Sequence, residues 1–168
     1  MSVLVDWQIH ERCTKGMVVP FDTEMVNPSS IDIRIGESAK LRVLGGWQDI
    51  DLTQYSKENP YWLNPGDRVL VASLETFNIP DDVAGQFRLK SSRGREFYEH
   101  LEAGWCDPGW NGSKLTMEII AHDIEPLPLY YGFKMGQIIF FQLAALPTTS
   151  YRQVGRYNGD TSVQQSRG

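Results

Sequence analysis

Two carboxylates flank a tight turn in the run Ala103-Gly104-Trp105-Cys106-Asp107-Pro108-Gly109-Trp110-Asn111-Gly112 and the Leu115-Thr116-Met117-Glu118 that follows it. Pro108 fixes φ and Gly109 frees it, so the chain reverses just after Asp107. Along 115–119 the side chains alternate. Leu115, Met117 and Ile119 fall on one face, Thr116, Glu118 and Ile120 on the other. A carboxylate beside Ile120 on a partly apolar face is suited to proton transfer, as general acid and base. The same pattern also describes a plain hairpin with one acidic residue on a solvated face.

A second stretch that could do chemistry is Leu89-Lys90-Ser91-Ser92-Arg93-Gly94-Arg95. Its three cations, two hydroxyls and backbone N–H groups near a glycine are what a polyphosphate needs. An ordinary charged loop has the same composition. Arg152, Arg156 and Arg167, interleaved with Tyr151, Tyr157 and glutamines, offer a lid over such a ligand or, equally, an ordinary disordered tail. His100-Leu101-Glu102 matches the H-x-E that opens the zinc deaminase signature. That chemistry also needs a closely spaced cysteine pair, which Cys106 and the distant Cys13 cannot supply, so zinc is not expected. His10 and His122 have no partners at ligand spacing. No Walker A loop, G-x-G-x-x-G or G-x-S-x-G is present, and nucleophilic Ser or Cys catalysis has no support.

The chain that must position these residues has 168 of them, enough for one domain with a substantial core. Asp6 is expected to cap a short helix over 7–15 that Gly16 stops. Residues 30–36 alternate strictly, and 40–44, 68–74, 87–90, 114–121, 126–131 and 137–144 continue the β pattern. Turns are expected at Asn64-Pro65-Gly66-Asp67, Ile79-Pro80-Asp81-Asp82 and Tyr131-Gly132-Phe133. Many short strands at this spacing predict a mainly β fold, a barrel or jelly roll with one short N-terminal helix. From Pro147 onward Thr, Ser, Gly, Gln and Arg dominate. Residues 1–150 are therefore read as one β domain and 151–168 as a flexible tail that orders on binding.

A net charge of −5 argues against a nucleic-acid polymer as partner, which would need a basic footprint. It leaves room for a small anion in a local pocket of Arg and Lys. No run of about 18 apolar residues predicts a membrane span, and the start lacks the basic and apolar regions of a signal peptide. Two cysteines far apart in sequence fit reduced thiols in the cytoplasm.

In this order, over nearly the whole chain, the pieces resemble the dCTP deaminase family, relatives of the trimeric dUTPases. The resemblance is carried by Asn27-Pro28-Ser29-Ser30-Ile31-Asp32-Ile33-Arg34-Ile35-Gly36, Leu63-Asn64-Pro65-Gly66 and Ile79-Pro80-Asp81-Asp82-Val83-Ala84. It continues through Lys90-Ser91-Ser92 with Arg95, Ala103-Gly104 with Asp107-Pro108-Gly109, Gly112 and Glu118, and Gly136-Gln137. It implies a distorted dUTPase-like β-barrel, a homotrimer with active sites at subunit interfaces, and zinc-free hydrolysis of dCTP to dUTP and ammonia. By this resemblance Glu118 falls on the catalytic carboxylate, Arg95 on the Arg that accompanies it, and Ser91 and Ser92 on the hydroxyl positions. Lys90 falls on the cationic position before them, and Asp107 on the residue engaging the deoxyribose 3′-OH. His100 and Ala103 line the base and water site, and Tyr151, Arg156 and Tyr157 belong to the lid. Mg2+ would be held by the triphosphate with no direct protein ligand, and dTTP is a candidate feedback inhibitor.

Some positions depart from the pattern. Arg156-Tyr157 keeps the cation and aromatic of the family's tail, but Asp160 stands where a Gln is usual, an unfavourable neighbour for phosphates unless metal-bridged. Glu102 replaces a common Thr, while Trp105 and Arg93-Gly94-Arg95-Glu96-Phe97 are nearer to bifunctional members that also remove pyrophosphate. The alternatives to a dedicated deaminase are thus a bifunctional enzyme forming dUMP and pyrophosphate, a dUTPase on the same fold, and a catalytically silent nucleotide-binding regulator.

Overall fold

The computed structural model describes residues 2–101 and 103–168. Glu102, the end of the H-x-E run and the replaced Thr position, lies outside the described residues with Met1. The strands are β1 (Ser2–Val3), β2 (Val18–Val19), β3 (Val26–Asn27), β4 (Ser30–Val43), β5 (Gly46–Asp51), β6 (Tyr61–Leu63) and β7 (Arg68–Asn78). They continue with β8 (Val83–Leu89), β9 (Tyr98–His100), β10 (Trp105–Cys106), β11 (Asn111–Ala121), β12 (Leu127–Leu129) and β13 (Lys134–Gln142). Helices α1 (Asp6–Thr14), α2 (Ser91–Arg95) and α3 (Tyr151–Val154) complete the set, with short 3-10 turns at Thr23–Met25 and Leu52–Gln54.

One sheet of 11 strands runs in the order β10-β8-β13-β4-β7-β11-β9, with β1 on β13, β2 on β7, and β3 and β5 on β4. It curls into a half-barrel, and β6 and β12 form a separate pair. The mainly β fold with one short N-terminal helix matches the sequence reading. The long strand β4 makes the curl: Ile31–Arg34 pair with β13, whereas Ile35 and Ala39–Leu41 pair with β7. Residues 30–36 and 40–44 are thus one strand, not the two that the sequence suggested. The bend between them falls where the register with β7 shifts, at Gly36. A Cβ there would sit 2.5 Å from the Ser73 carbonyl oxygen, so β7 can cross closely only because none is present. Ile33, Ile35, Val71, Phe77, Met117 and Phe140 fill the interior and are fully buried.

In α1, Ile9 and Cys13 lie one turn apart and are buried while Trp7 points to solvent. The cap is Val5 rather than Asp6. Gln8 Oε1 accepts a hydrogen bond from the Val5 N–H at 3.1 Å, and Asp6 becomes the first helical residue. Arg12 then ties the helix to the barrel. Its guanidinium forks onto both oxygens of Asp82 (3.0 and 2.8 Å) and reaches Gln142 Oε1 on β13 (2.9 Å). Among the described residues no helix is long and apolar enough to cross a membrane.

Candidate active site

Strand β11 realises the alternation read from sequence. Leu115, Met117, Ile119 and Ala121 are buried, and Thr116, Glu118 and Ile120 face outward, half covered. Ile119 pairs with His100 on β9, which brings the His100 ring beside Glu118. His100 Nε2 lies 3.3 Å from Glu118 Oε2. The imidazole is buried, and Phe87 meets it edge-on with ring centroids 4.8 Å apart. Glu118 Oε2 is itself buried and accepts no hydrogen bond. The carboxylate is therefore held in place by strand geometry and packing, and no Arg or Lys forms a salt bridge with it among the described residues.

Glu118 lines a cavity of about 490 Å³ together with Leu70, Ala103, Asp107, Thr116 and Lys114. Its walls are aromatic: Trp47, Trp105, Trp110, Tyr151 and Tyr157. Asp107 is placed by the expected turn. Its carbonyl accepts from the Trp110 N–H at 3.1 Å, and Gly109 sits at φ 88, a left-handed geometry that only glycine adopts without strain. Trp47 was not foreseen. It enters on β5, whose hairpin with β4 turns through Leu44-Gly45; the paired glycines Gly45-Gly46 carried that signal.

Residues 151–168 run back across the mouth of this cavity. The Tyr151 N–H donates to the Pro108 carbonyl at 3.0 Å, and Trp110 Nε1–H and the Ser113 hydroxyl both donate to the Tyr157 carbonyl at 2.8 Å. Further along, Gln164 N–H donates to Thr116 Oγ1 at 3.0 Å and Val163 N–H to Ser38 Oγ at 3.1 Å. Asp160, Gln164, Gln165 and Ser166 thereby join the cavity wall; the composition of that segment held no signal for this path. Arg156 is exposed and does not line the cavity.

The predicted phosphate loop lies elsewhere. Ser91 and Ser92 are exposed on α2, and Arg95 lines a separate open cleft of about 780 Å³ with Lys57, Trp62, Phe97 and Phe133. Arg93 belongs to the same cleft, paired with Glu96 at 2.9 Å and stacked 4.3 Å over the Phe133 ring. Lys90 is engaged inside the chain, its ammonium 2.5 Å from the buried Asp32, which also accepts from Asn27 Nδ2 at 2.8 Å. Within one chain the structure therefore brings Glu118, His100, Ala103, Asp107, Tyr151 and Tyr157 together and leaves Lys90, Ser91, Ser92 and Arg95 apart. The cavity wall carries Asp107, Glu118 and Asp160 against the single cation Lys114, whose ammonium is bonded to Glu37. Such a wall suits a base and sugar and lacks the cations a triphosphate needs. Among the described residues no group of three or more His, Cys, Asp or Glu is arranged to hold a metal ion. Cys13 and Cys106 are free and buried, and burial pushes both thiols up to about 12.

Residues 3–143 match the family model described as dCTP deaminase-like. The chain is 35% identical over 98% of its length, and 94% of the relative's, to a protein of Streptomyces coelicolor named dCTP deaminase, dUMP-forming. It is 33% identical over 98% of its length, and 97% of the relative's, to one of Pyrococcus horikoshii named dCTP deaminase. Among solved structures it is similar to 2′-deoxycytidine 5′-triphosphate deaminase from Agrobacterium tumefaciens, with a TM-score of 0.70 at 22% identity. That likeness covers 82% of this chain, which spans about half (47%) of the solved one, and it concerns the fold.

Proposed function

Because the chain belongs to the dCTP deaminase-like family, we propose that it hydrolyses dCTP to dUTP and ammonia, with Glu118 as the proton-transfer group. The observation that carries this reading is the Glu118 carboxylate: it lines an aromatic cavity, has one oxygen buried without a hydrogen bond, and lies 3.3 Å from the His100 ring rather than against an Arg or Lys of its own chain among the described residues. Deamination moves both protons of the attacking water, one to the ring nitrogen and one to the departing amine. A single carboxylate that faces the cavity can relay each in turn. In this reading Ala103 would lie beside the water and Asp107 would engage the deoxyribose 3′-OH; in support, both line the same cavity as Glu118. Trp105, Trp110 and Tyr151 offer faces against which a pyrimidine packs.

The phosphates call for Ser91, Ser92 and Arg95, which one chain holds apart from its own cavity. We assign them to a neighbouring copy in a homotrimer, so that each site joins the β11 wall of one subunit to the α2 loop of the next. In that assembly Arg95 would meet Glu118 and the water, and Ser91 and Ser92 the nucleotide. Lys90, expected at the cationic position before the hydroxyls, is bonded to the buried Asp32, which anchors the start of α2. Magnesium, when bound, would neutralise charge on the triphosphate oxygens, its preferred ligands; the cavity's scattered carboxylates support no protein cage for it.

A second reading, deamination coupled to pyrophosphate release, is favoured by relatives named dUMP-forming. In it Asp107 would activate a second water against the α-phosphorus. Incubation with dCTP and Mg2+ followed by chromatography separates the readings. Accumulating dUTP and ammonia support the first, dUMP with pyrophosphate the second, and untouched dCTP would overturn both.

A further inference from the structure

Asp160 is the least expected residue in the cavity wall. It is buried, shares the wall with Asp107 and Glu118, and leaves its Oδ2 without a hydrogen bond. Stripping a buried carboxylate of its cation is strongly destabilising. The cation present is Arg167, whose Nη2 lies 2.5 Å from Asp160 Oδ1. Lys114, which lines the wall itself, is bonded to Glu37 instead. Arg167 makes further attachments. Its Nη2 also donates to Gln164 Oε1 at 2.9 Å, its Nη1 to the Arg156 carbonyl, and its backbone N–H to the Tyr157 hydroxyl at 3.1 Å. The guanidinium lies 5.1 Å from the centre of the Tyr157 ring. Residues 157–167 are thus closed into a loop by one side chain, and that loop supplies Tyr157, Asp160, Gln164, Gln165 and Ser166 to the cavity.

We infer that Arg167 is a positioning residue that latches this strap over the cavity by neutralising Asp160. Arg167 itself does not line the cavity, and its part is to hold others there. The inference rests on the proposed function only in naming the ligand. Its physical content is that the Asp160–Arg167 pair closes a strap whose backbone is also hydrogen-bonded to the barrel. Apart from Val163 the strap buries little apolar surface, so the pair and the backbone bonds to Ser113, Lys114 and Thr116 carry its attachment. The pair also removes the difficulty of a carboxylate near phosphates, since Asp160 and Arg167 together are neutral.

The test uses the full chain without nucleotide. Trypsin cleavage after Arg152 and Arg156, followed by mass spectrometry, reports strap opening, and thermal unfolding reports whether the barrel stays intact. Arg167→Ala is expected to speed cleavage at least ~10-fold with the barrel midpoint unchanged, because an uncompensated buried carboxylate ejects the strap. Asp160→Asn/Arg167→Ala should regain part of the protection, since the charge that needed the arginine is gone. Arg167→Lys, a point charge without the fork, should fall between. With dCTP, Arg167→Ala should raise KM about 10-fold and leave kcat nearly intact, as lost ground-state positioning does. Wild-type cleavage rates in Arg167→Ala would overturn the latch, as would a double variant no better protected than the single one. A protein with the expected proteolysis pattern that leaves dCTP untouched would instead sink the functional reading and spare the latch.

Discussion

Glu118 and His100 show how much of a site one strand can specify. The period of 2 along β11 put Glu118 on the outward face, and that was readable from Leu115-Thr116-Met117-Glu118 alone. The neighbour that buries its Oε2 was not readable, because His100 arrives on a different strand. Replacing Glu118 by Gln keeps the shape and removes the proton carrier. Deamination should fall at least ~100-fold, the scale of general acid–base catalysis, while nucleotide binding measured by calorimetry stays within a few-fold. Retained ammonia release would remove Glu118 from its role. The two cysteines make the opposite case. With burial pushing both thiols up to about 12, almost no thiolate exists near neutrality. Iodoacetamide at pH 7.5 (roughly one unit below an ordinary thiol) should leave the folded protein unlabelled and fully active. Labelling of either cysteine before unfolding would contradict the burial.

At the scale of elements, the clamp between α1 and the barrel has a pH signature. Hydrogen bonds from Arg12, aided by Gln142, hold the Asp82 carboxyl below the usual aspartate range against the effect of burial. A carboxyl depressed in the folded state contributes stability above its unfolded pKa and loses it as pH falls through the folded value. Asp82→Asn should therefore cost about 1–2 kcal/mol near pH 7, a moderate figure because both partners are partly exposed. The difference from wild type should shrink toward zero in acid; a cost independent of pH would mean packing rather than charge. The bend in β4 is a second element-scale device. Gly36→Ala would press a methyl against the Ser73 carbonyl, which cannot rotate away. Denaturant unfolding should show a loss of about 1–3 kcal/mol, the usual range for overpacking. The sequence hinted at this bend by breaking the β pattern after Gly36, but a break in pattern reads as two strands when the crossing partner is unknown.

For the whole molecule the decisive fact is the separation of Glu118 from Arg95. If the α2 loop completes a neighbour's cavity, Glu118→Gln and Arg95→Ala subunits, each inactive alone, should regain activity when mixed and reassembled. A mixed trimer then contains interfaces that pair an intact Glu118 with an intact Arg95. Reassembled mixtures as inactive as their parents would place the whole site within one chain. The mainly β class, the turn carrying Asp107 and the outward Glu118 were determined by the sequence alone, because side-chain alternation and turn chemistry are local. Only the tertiary structure decided where residues 151–168 run and what Lys90 and Arg167 bind. Those choices depend on contacts such as Trp110 with Tyr157, 47 residues apart, and Lys90 with Asp32, 58 apart. A charged side chain pairs with whichever opposite charge the folded backbone buries beside it, and no spacing along the chain encodes that neighbour.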